Sequence, residues 1–123
     1  MSEMRGDAQA AIDELVSSLK LVGAGLVSRD GLPVLLRFSR PIQEDTFSAM
    51  SAALLGAAEA ALQELAEERP ASALVETAGL RFAVAGLDDS NLLVAVAPAG
   101  VDAAKLRSGV EKAQERLRKI LGG

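Results

Sequence analysis

The sequence predicts an α/β (α+β) protein with the element order α-β-β-α-β-β-β-α. Five strands would form one mostly antiparallel sheet between one long helix and two other helices. Two short apolar runs flank Asp30-Gly31, a common tight-turn pair, and three more runs follow Pro70 with short turns between them. Amphipathic segments with helical spacing precede, separate and follow these strands. At 123 residues, half of them apolar, the chain suits a single domain spanning 1–123, with an ordered core at about 8–121.

The first helix is expected to run from Asp7 to about Leu19. The Asp7 carboxylate can accept hydrogen bonds from the free amides of a first helical turn, and the apolar residues that follow lie on one stripe. Gly23 and Gly25 indicate where the chain leaves this helix and turns into the first strand.

The long second helix, predicted over 44–67, carries two apolar faces. One stripe is the expected core-facing side: Phe47, Met50, Leu54, Ala58, Ala61 and Leu65. The nearly opposite stripe is made of small residues, which allow another backbone to come close: Ala49, Ala52, Ala53, Gly56 and Ala60. Either a helix of the same chain or the equivalent helix of a second subunit could cover it. The second subunit is favoured, because the other two helices each have one apolar stripe and would lie on the opposite sheet face.

The strand patterns predict which strands are central and which lie at an edge. Leu92 to Ala97 is apolar on both faces, which is typical of a central strand. The run containing Leu74 and Val75 is short and mixed, as expected of an edge strand that can pair with its own copy across a two-fold axis. These two residues therefore join the small-residue stripe in the predicted dimer interface. The strands are placed at about 23–29, 33–38, 72–77, 80–87 and 91–97, and the last helix at 102–121.

Composition argues against most enzyme classes. The chain has no Cys and no His, which excludes Cys/His zinc sites, Ser-His-Asp and Cys-His nucleophiles and His-ligated haem. No phosphate-binding loop or complete dinucleotide fingerprint occurs, and Asp88-Asp89 lacks an evident third metal ligand. Three aromatic residues and a net charge of −4 do not favour nucleic acid. We expect a protein without enzymatic activity, cofactor or metal.

The sequence also bears on where the protein is located. No apolar run approaches the ~20 residues of a membrane span, and the first ten residues do not look like a signal peptide. We therefore predict a cytoplasmic protein and do not expect membrane contact.

The charges are unevenly distributed along the chain. Acids concentrate between Glu44 and Glu76 and bases between Asp102 and Lys119, so an acidic and a basic side are expected. Solvated helix faces explain this better than a functional basic patch, which stays open as the alternative.

The element order and two sequence motifs resemble the roadblock/dynein light chain domain, over about residues 8–121. One motif is the hairpin pattern of Gly23/Gly25, Ser28, Asp30, Gly31, Leu32 and Pro33, and the other is Ala-Met-Ser-Ala-Ala-Leu-Leu-Gly-Ala-Ala-Glu at 49–59. The resemblance implies a profilin-like fold and a homodimer joined through the long helices and third strands into one continuous sheet. It also implies a non-enzymatic regulator or scaffold for a Ras-like small GTPase, such as the polarity GTPase of gliding bacteria. A chain made of the domain alone suggests a stand-alone prokaryotic member.

A partner surface is expected in the wedge of the long helix between its two apolar stripes. It contains Ser48, Ser51, Leu55, Glu59, Leu62 and Gln63. Leu55 and Leu62 are large apolar groups aimed away from both stripes, which can mark a binding site; alternatively they only widen the dimer contact.

Arg29 in the hairpin tip and Arg40 before the long helix are the exposed arginines that could act on a GTPase. Ordering of the GTPase by surface contact is expected rather than insertion of an arginine. A nucleotide-independent scaffold is the closest alternative function. A small-molecule sensor is a further alternative, and it would need a cavity beside the sheet.

Overall fold

A computed structural model describes residues 2–66 and 72–122 and has the predicted element order. The three helices and five strands are α1 (Ser2–Leu19), β1 (Gly23–Ser28), β2 (Pro33–Phe38), α2 (Glu44–Gln63), β3 (Ser72–Glu76), β4 (Leu80–Gly86), β5 (Asn91–Pro98) and α3 (Ala103–Gly122). The predicted end of the long helix at residue 67 lies outside the described residues.

The five strands form one sheet in the order β2-β1-β5-β4-β3, and every neighbouring pair is antiparallel. The predictions of a central β5 and an edge β3 are both confirmed. All residues from Leu92 to Ala97 are buried, because helices cover β5 on both faces of the sheet. β2 forms the other edge.

The helices form two layers around this sheet. α1 and α3 pack side by side on one face, where Ile12, Leu106 and Leu117 are at the centre of the larger apolar cluster. α2 lies on the opposite face over a smaller cluster around Val27, Val84 and Leu55. This is the predicted arrangement, with one long helix on one side and two helices on the other.

The β1–β2 hairpin turns at Gly31, whose φ of +89° suits glycine. The Gly31 amide donates to the Ser28 carbonyl at 2.9 Å, and the Leu32 amide donates to the Ser28 hydroxyl at 3.0 Å. The pairing has a β-bulge, because its register shifts between Leu26 and Val27 of β1, opposite Leu35 and Pro33 of β2. The hairpin predicted from Asp30-Gly31 is therefore present.

The predicted start of α1 is wrong. The helix starts at Ser2, so Asp7 lies within it and does not cap it. The left-handed residue Lys20, with φ 54°, follows the helix, and β1 begins at Gly23, as the two glycines indicated. Both glycines belong to β1, where they let side chains and backbone of β2 approach closely.

The orientation predicted for α2 is also wrong, by about a quarter turn at 100° per residue. Phe47 and Leu54 do pack partly against the core, but Met50 is 62% and Leu65 is 84% exposed. The residues fully buried under the helix are Ser48, Ser51 and Leu55. The small serines let α2 come close to the sheet, and the Ser51 hydroxyl donates to the Phe47 carbonyl at 2.7 Å. Apolar content alone did not distinguish this face, because both predicted stripes are apolar.

Candidate interaction surfaces

The outer face of α2 presents part of the small-residue stripe to solvent. Ala53, Gly56 and Ala60 are exposed, and a Cβ added to Gly56 would meet no heavy atom of the described chain within 4 Å. The remaining two members have partners in their own chain. Ala49 lies beside Gly31 of the hairpin turn, and Ala52 packs partly against the α2-side cluster. Three of the five predicted dimer residues on α2 are thus free to contact another molecule.

Exposed large apolar side chains also occur on α2 and just after it, outside this stripe. Met50 and Leu62 of α2 are exposed, and so is Leu65 just beyond the end of the helix. The half of α2 beyond Leu55 adds no residue to the apolar clusters, so it extends past the region that the sheet supports. Helical periodicity places Met50 and Leu65 in the core-facing stripe, so it did not indicate that both side chains are exposed.

The β3 edge provides a second exposed apolar surface. Leu74 is 45% and Val75 is 41% exposed, and β3 pairs only with β4 among the described strands. Successive side chains of a strand point to opposite faces, so Leu74 lies on the α1/α3 side and Val75 on the α2 side. The outer edge of β3 therefore retains backbone groups that could pair with another strand.

The predicted partner wedge is mostly interior, contrary to the expectation from the sequence. Leu55 is 1% exposed, and Ser48 and Ser51 are buried with it between α2 and the sheet. These three residues cannot contact a partner while the domain is folded. Leu62 and Gln63 are the members of the wedge that remain exposed.

Arg29 is held within the chain instead of projecting freely from the hairpin tip. Its Nε donates to the Asp88 carbonyl at 2.8 Å, and its Nη1 lies 3.4 Å from both carboxylate oxygens of Glu59. The residue thereby joins the hairpin, the β4–β5 turn and α2. Glu59, predicted to bind a partner, is correspondingly half-buried.

Arg40 is exposed and precedes α2, as predicted. It takes part in none of the five ion pairs found among the described residues. It lines a shallow surface depression with Phe38 and Ile42. Of the two arginines selected from the sequence, Arg40 is the one whose charge is available to another molecule.

Asp88 organises the β4–β5 turn. Its Oδ1 accepts hydrogen bonds from the amides of Ser90 and Asn91 at 2.8 and 2.7 Å. Partial burial favours a higher pKa for Asp88, but these amides, the Asn91 side chain and the Arg29 charge together lower the pKa below its ordinary 3.8. The carboxylate binds amides of its own turn. The described residues contain no group of three potential metal ligands.

The arginines of the basic helix α3 make contacts within the chain. Arg107 pairs with Glu111, and Arg116 pairs with Glu14 of α1. Arg118 donates to the carbonyls of Leu87 and Gly86. Half of the six basic residues in this helix therefore have structural partners, which favours the interpretation of α3 as an ordinary packed helix. Within the described residues, no helix is long and apolar enough to cross a bilayer.

Comparison with solved structures shows which proteins share this architecture. The chain is similar to MglB of Myxococcus xanthus, with 20% identity, a TM-score of 0.84 and 94% of each chain covered. It is also similar to the gliding protein MglB of Thermus thermophilus, with 21% identity, a TM-score of 0.88 and coverage of 95% of this chain and 90% of that one. A third structure, described as MglB with a tetrameric arrangement, has 21% identity, a TM-score of 0.88 and coverage of 95% and 89%.

At these identities the likeness establishes the fold, which is profilin-like and of the roadblock type. A sequence comparison with curated proteins gave no match. The family assignment comes from the sequence model of the Roadblock/LC7 domain, which matches residues 8–97 and so includes both motifs noted in the sequence. The chain belongs to the Roadblock/LC7 domain family.

Proposed function

We propose that the protein is a homodimer joined through the outer face of α2 and the edge of β3. The observation that supports this most directly is the open small-residue surface at Ala53, Gly56 and Ala60, which has the exposed Met50 beside it. Small residues allow two helix backbones to approach closely. Pairing of β3 with its own copy would give a continuous sheet and remove an exposed edge. One similar MglB structure is described as tetrameric, so self-association occurs in a protein of this fold.

We infer that this dimer is a non-enzymatic, cytoplasmic regulator of a Ras-like small GTPase. Membership of the Roadblock/LC7 family and the similarity to MglB proteins support this function. The lack of Cys and His excludes thiol nucleophiles and nucleophiles that a His base activates. The protein would act by binding the GTP-bound partner and ordering its catalytic groups, with stimulation of hydrolysis as the expected result.

Nucleotide-dependent affinity capture tests this proposal. The tagged protein is incubated with native lysate containing either GDP or a non-hydrolysable GTP analogue, and retained proteins are identified by mass spectrometry. We expect a small GTPase to be retained mainly with the GTP analogue. Partners retained equally with both nucleotides, with no GTPase among them, would contradict it and support the nucleotide-independent scaffold.

Arg40→Ala tests how the regulator acts once the GTPase is known. We expect the variant to retain most of the stimulation of hydrolysis, because ordering by surface contact does not depend on one inserted guanidinium. Loss of stimulation with unchanged GTPase binding would instead identify Arg40 as an inserted arginine. Arg29→Ala is less informative, because removing the bonds to Glu59 and the Asp88 carbonyl would disturb the chain's own structure.

A further inference from the structure

The second half of α2 receives little support from the rest of the chain. The residues that the helix buries against the sheet end at Leu55. From Gly56 to Gln63, Ala58 and Glu59 are half-buried and the other residues are exposed. Helices in proteins are stabilised mainly by packing of one face, so about two turns without such packing are weak on their own. The orientation of this half therefore depends on the few contacts that it makes.

Arg29 provides the ionic contact to this half of the helix. Its Nη1 lies 3.4 Å from both carboxylate oxygens of Glu59, and the two side chains are 27% and 17% exposed. Partly buried pairs are screened less by salt than pairs on the open surface. Among the five ion pairs of the described residues, this is the one that joins α2 to another element.

The guanidinium of Arg29 is held in place independently of Glu59. The Arg29 amide donates to the Ser90 carbonyl at 2.9 Å, and its Nε donates to the Asp88 carbonyl at 2.8 Å. A Cβ on Gly86 would lie 3.0 Å from Nη2, so the glycine leaves room for the group. Because a guanidinium is planar and rigid, the bond at Nε also sets the direction of Nη1. Arg29 is thus oriented toward α2 in advance.

The half of α2 that Arg29 holds also carries much of the predicted dimer surface. Gly56 and Ala60 are exposed there. The hairpin tip contacts the other end of the same stripe, since a Cβ on Gly31 would lie 3.1 Å from the Ala49 Cα. Close packing of two helices requires each to keep a fixed orientation, because the contact depends on ridges fitting into grooves.

We propose that Arg29 is a positioning residue for dimerisation: by holding Glu59, it fixes the second half of α2 in the orientation that a second copy meets. An acidic group of another molecule that binds Arg29 in place of Glu59 would therefore weaken the dimer. By linkage, dimerisation would weaken the binding of that group by the same factor. The inference rests on the dimer proposed above and adds a means of regulating it.

A double-mutant cycle measures whether Arg29 acts through Glu59. We expect Glu59→Ala to raise the dissociation constant of the dimer at least about fivefold, because a symmetric dimer contains this partly buried pair twice. Arg29→Gln should have a similar effect, and the double variant should be no weaker than either single variant. Sedimentation velocity over a concentration series gives the four constants. Additive effects of the two substitutions would overturn the proposal.

Amide hydrogen exchange tests the positioning step in the monomer. Gly56→Leu, which should weaken the dimer, is the background for this measurement, so that dimer contacts do not mask the effect. Adding Glu59→Ala should speed exchange of the amides of residues 60–63 about fivefold, while those of residues 52–55 stay protected. Alanine is the best helix former, so a change in propensity cannot explain faster exchange. Unchanged exchange would show that Glu59 does not hold this half of α2.

Glu44→Ala is the matched control. It removes the same charge from the first turn of α2, where the described residues form no ion pair, and should leave the dissociation constant unchanged. A dimer that Gly56→Leu weakens and Glu59→Ala does not would overturn the role of Arg29 alone. A wild-type protein that stays monomeric throughout the series would overturn the proposed dimer and this inference with it.

Discussion

Ser48 shows how one residue can have a role opposite to the one its sequence position suggests. The sequence places it in a surface wedge, but its side chain is fully buried beneath α2. Its hydroxyl has no hydrogen-bond partner among the described residues, unlike that of Ser51. A buried hydroxyl without a partner costs stability. Ser48 thus contributes close packing rather than polarity.

Ser48→Ala should raise the free energy of unfolding by about 1 kcal/mol. The substitution removes the unsatisfied hydroxyl and also improves helix propensity. Urea denaturation of the variant and the wild type measures the difference. Ser51→Ala is the matched control, and it should gain less because it loses a hydrogen bond. A destabilised Ser48→Ala would mean that the hydroxyl has a bonding partner in solution.

Asp88 makes folding sensitive to acid. Because its pKa is lower in the folded chain than its ordinary value, the ionised carboxylate stabilises the fold. This contribution is fully present above the ordinary aspartate pKa and is lost as the pH falls through the lower, folded-state value. The group is largely exposed, so the contribution is modest.

Asp88→Asn should have a flatter dependence of stability on pH than the wild type in this acidic range. The amide retains an acceptor for the turn amides but cannot titrate. Urea midpoints measured at a series of pH values test this. Asp89→Asn is the matched control. It removes the neighbouring negative charge but leaves in place the Asp88 carboxylate that accepts the hydrogen bonds of the turn. Parallel pH curves for wild type and Asp88→Asn would disprove the role of Asp88.

At the level of elements, the contact between β1 and β2 depends on the absence of a side chain. A Cβ on Gly25 would lie 2.3 Å from the Leu35 carbonyl oxygen and 2.9 Å from the Leu36 Cα. Both atoms belong to the backbone of β2, so a rotamer change cannot relieve the clash. The strand pair can exist in this register only if Gly25 remains small.

Gly25→Ala should therefore lower the free energy of unfolding by about 1–3 kcal/mol, as expected for overpacking. Gly79→Ala is the control, because a Cβ there meets nothing within 4 Å among the described residues. Denaturant midpoints of the two variants give the comparison. Equal stability of both variants would show that β2 shifts easily to accommodate a methyl group.

At the level of the whole molecule, the fold leaves two neighbouring surfaces incomplete. α2 presents Gly56 and two exposed alanines, and β3 leaves Leu74 and Val75 accessible at the sheet edge. Neither surface is covered by any described part of the chain. A second copy would cover both at once, which is why we place the dimer there.

Gly56→Leu should weaken dimerisation by about 1–3 kcal/mol, because a large side chain prevents close approach of the two helices. Gly6→Leu is a matched control, since Gly6 is also an exposed helical glycine with no atom of the described chain near its added Cβ. Both substitutions improve helix propensity, so neither monomer should lose stability. Sedimentation velocity over a concentration series measures the dissociation constants. An unchanged constant for Gly56→Leu would place the interface elsewhere.

Residue patterns alone were enough to establish the order of elements, the central and edge strands, the hairpin turn and the family. These features follow from local signals: the apolar run of β5, the turn glycine Gly31 and the helical periodicity of α1 and α3. Such signals depend on residues that are close together in the chain, so they can be read without knowing the packing.

Packing in three dimensions was needed to establish which face of α2 meets the sheet and which polar residues are bound internally. α2 is apolar on several sides, so its orientation depends on how closely Ser48 and Ser51 allow the sheet to approach. Arg29 meets Glu59 thirty residues later, and Gln114 meets Gly86 across the fold. These contacts join residues that are distant in the chain, so no local pattern predicts them.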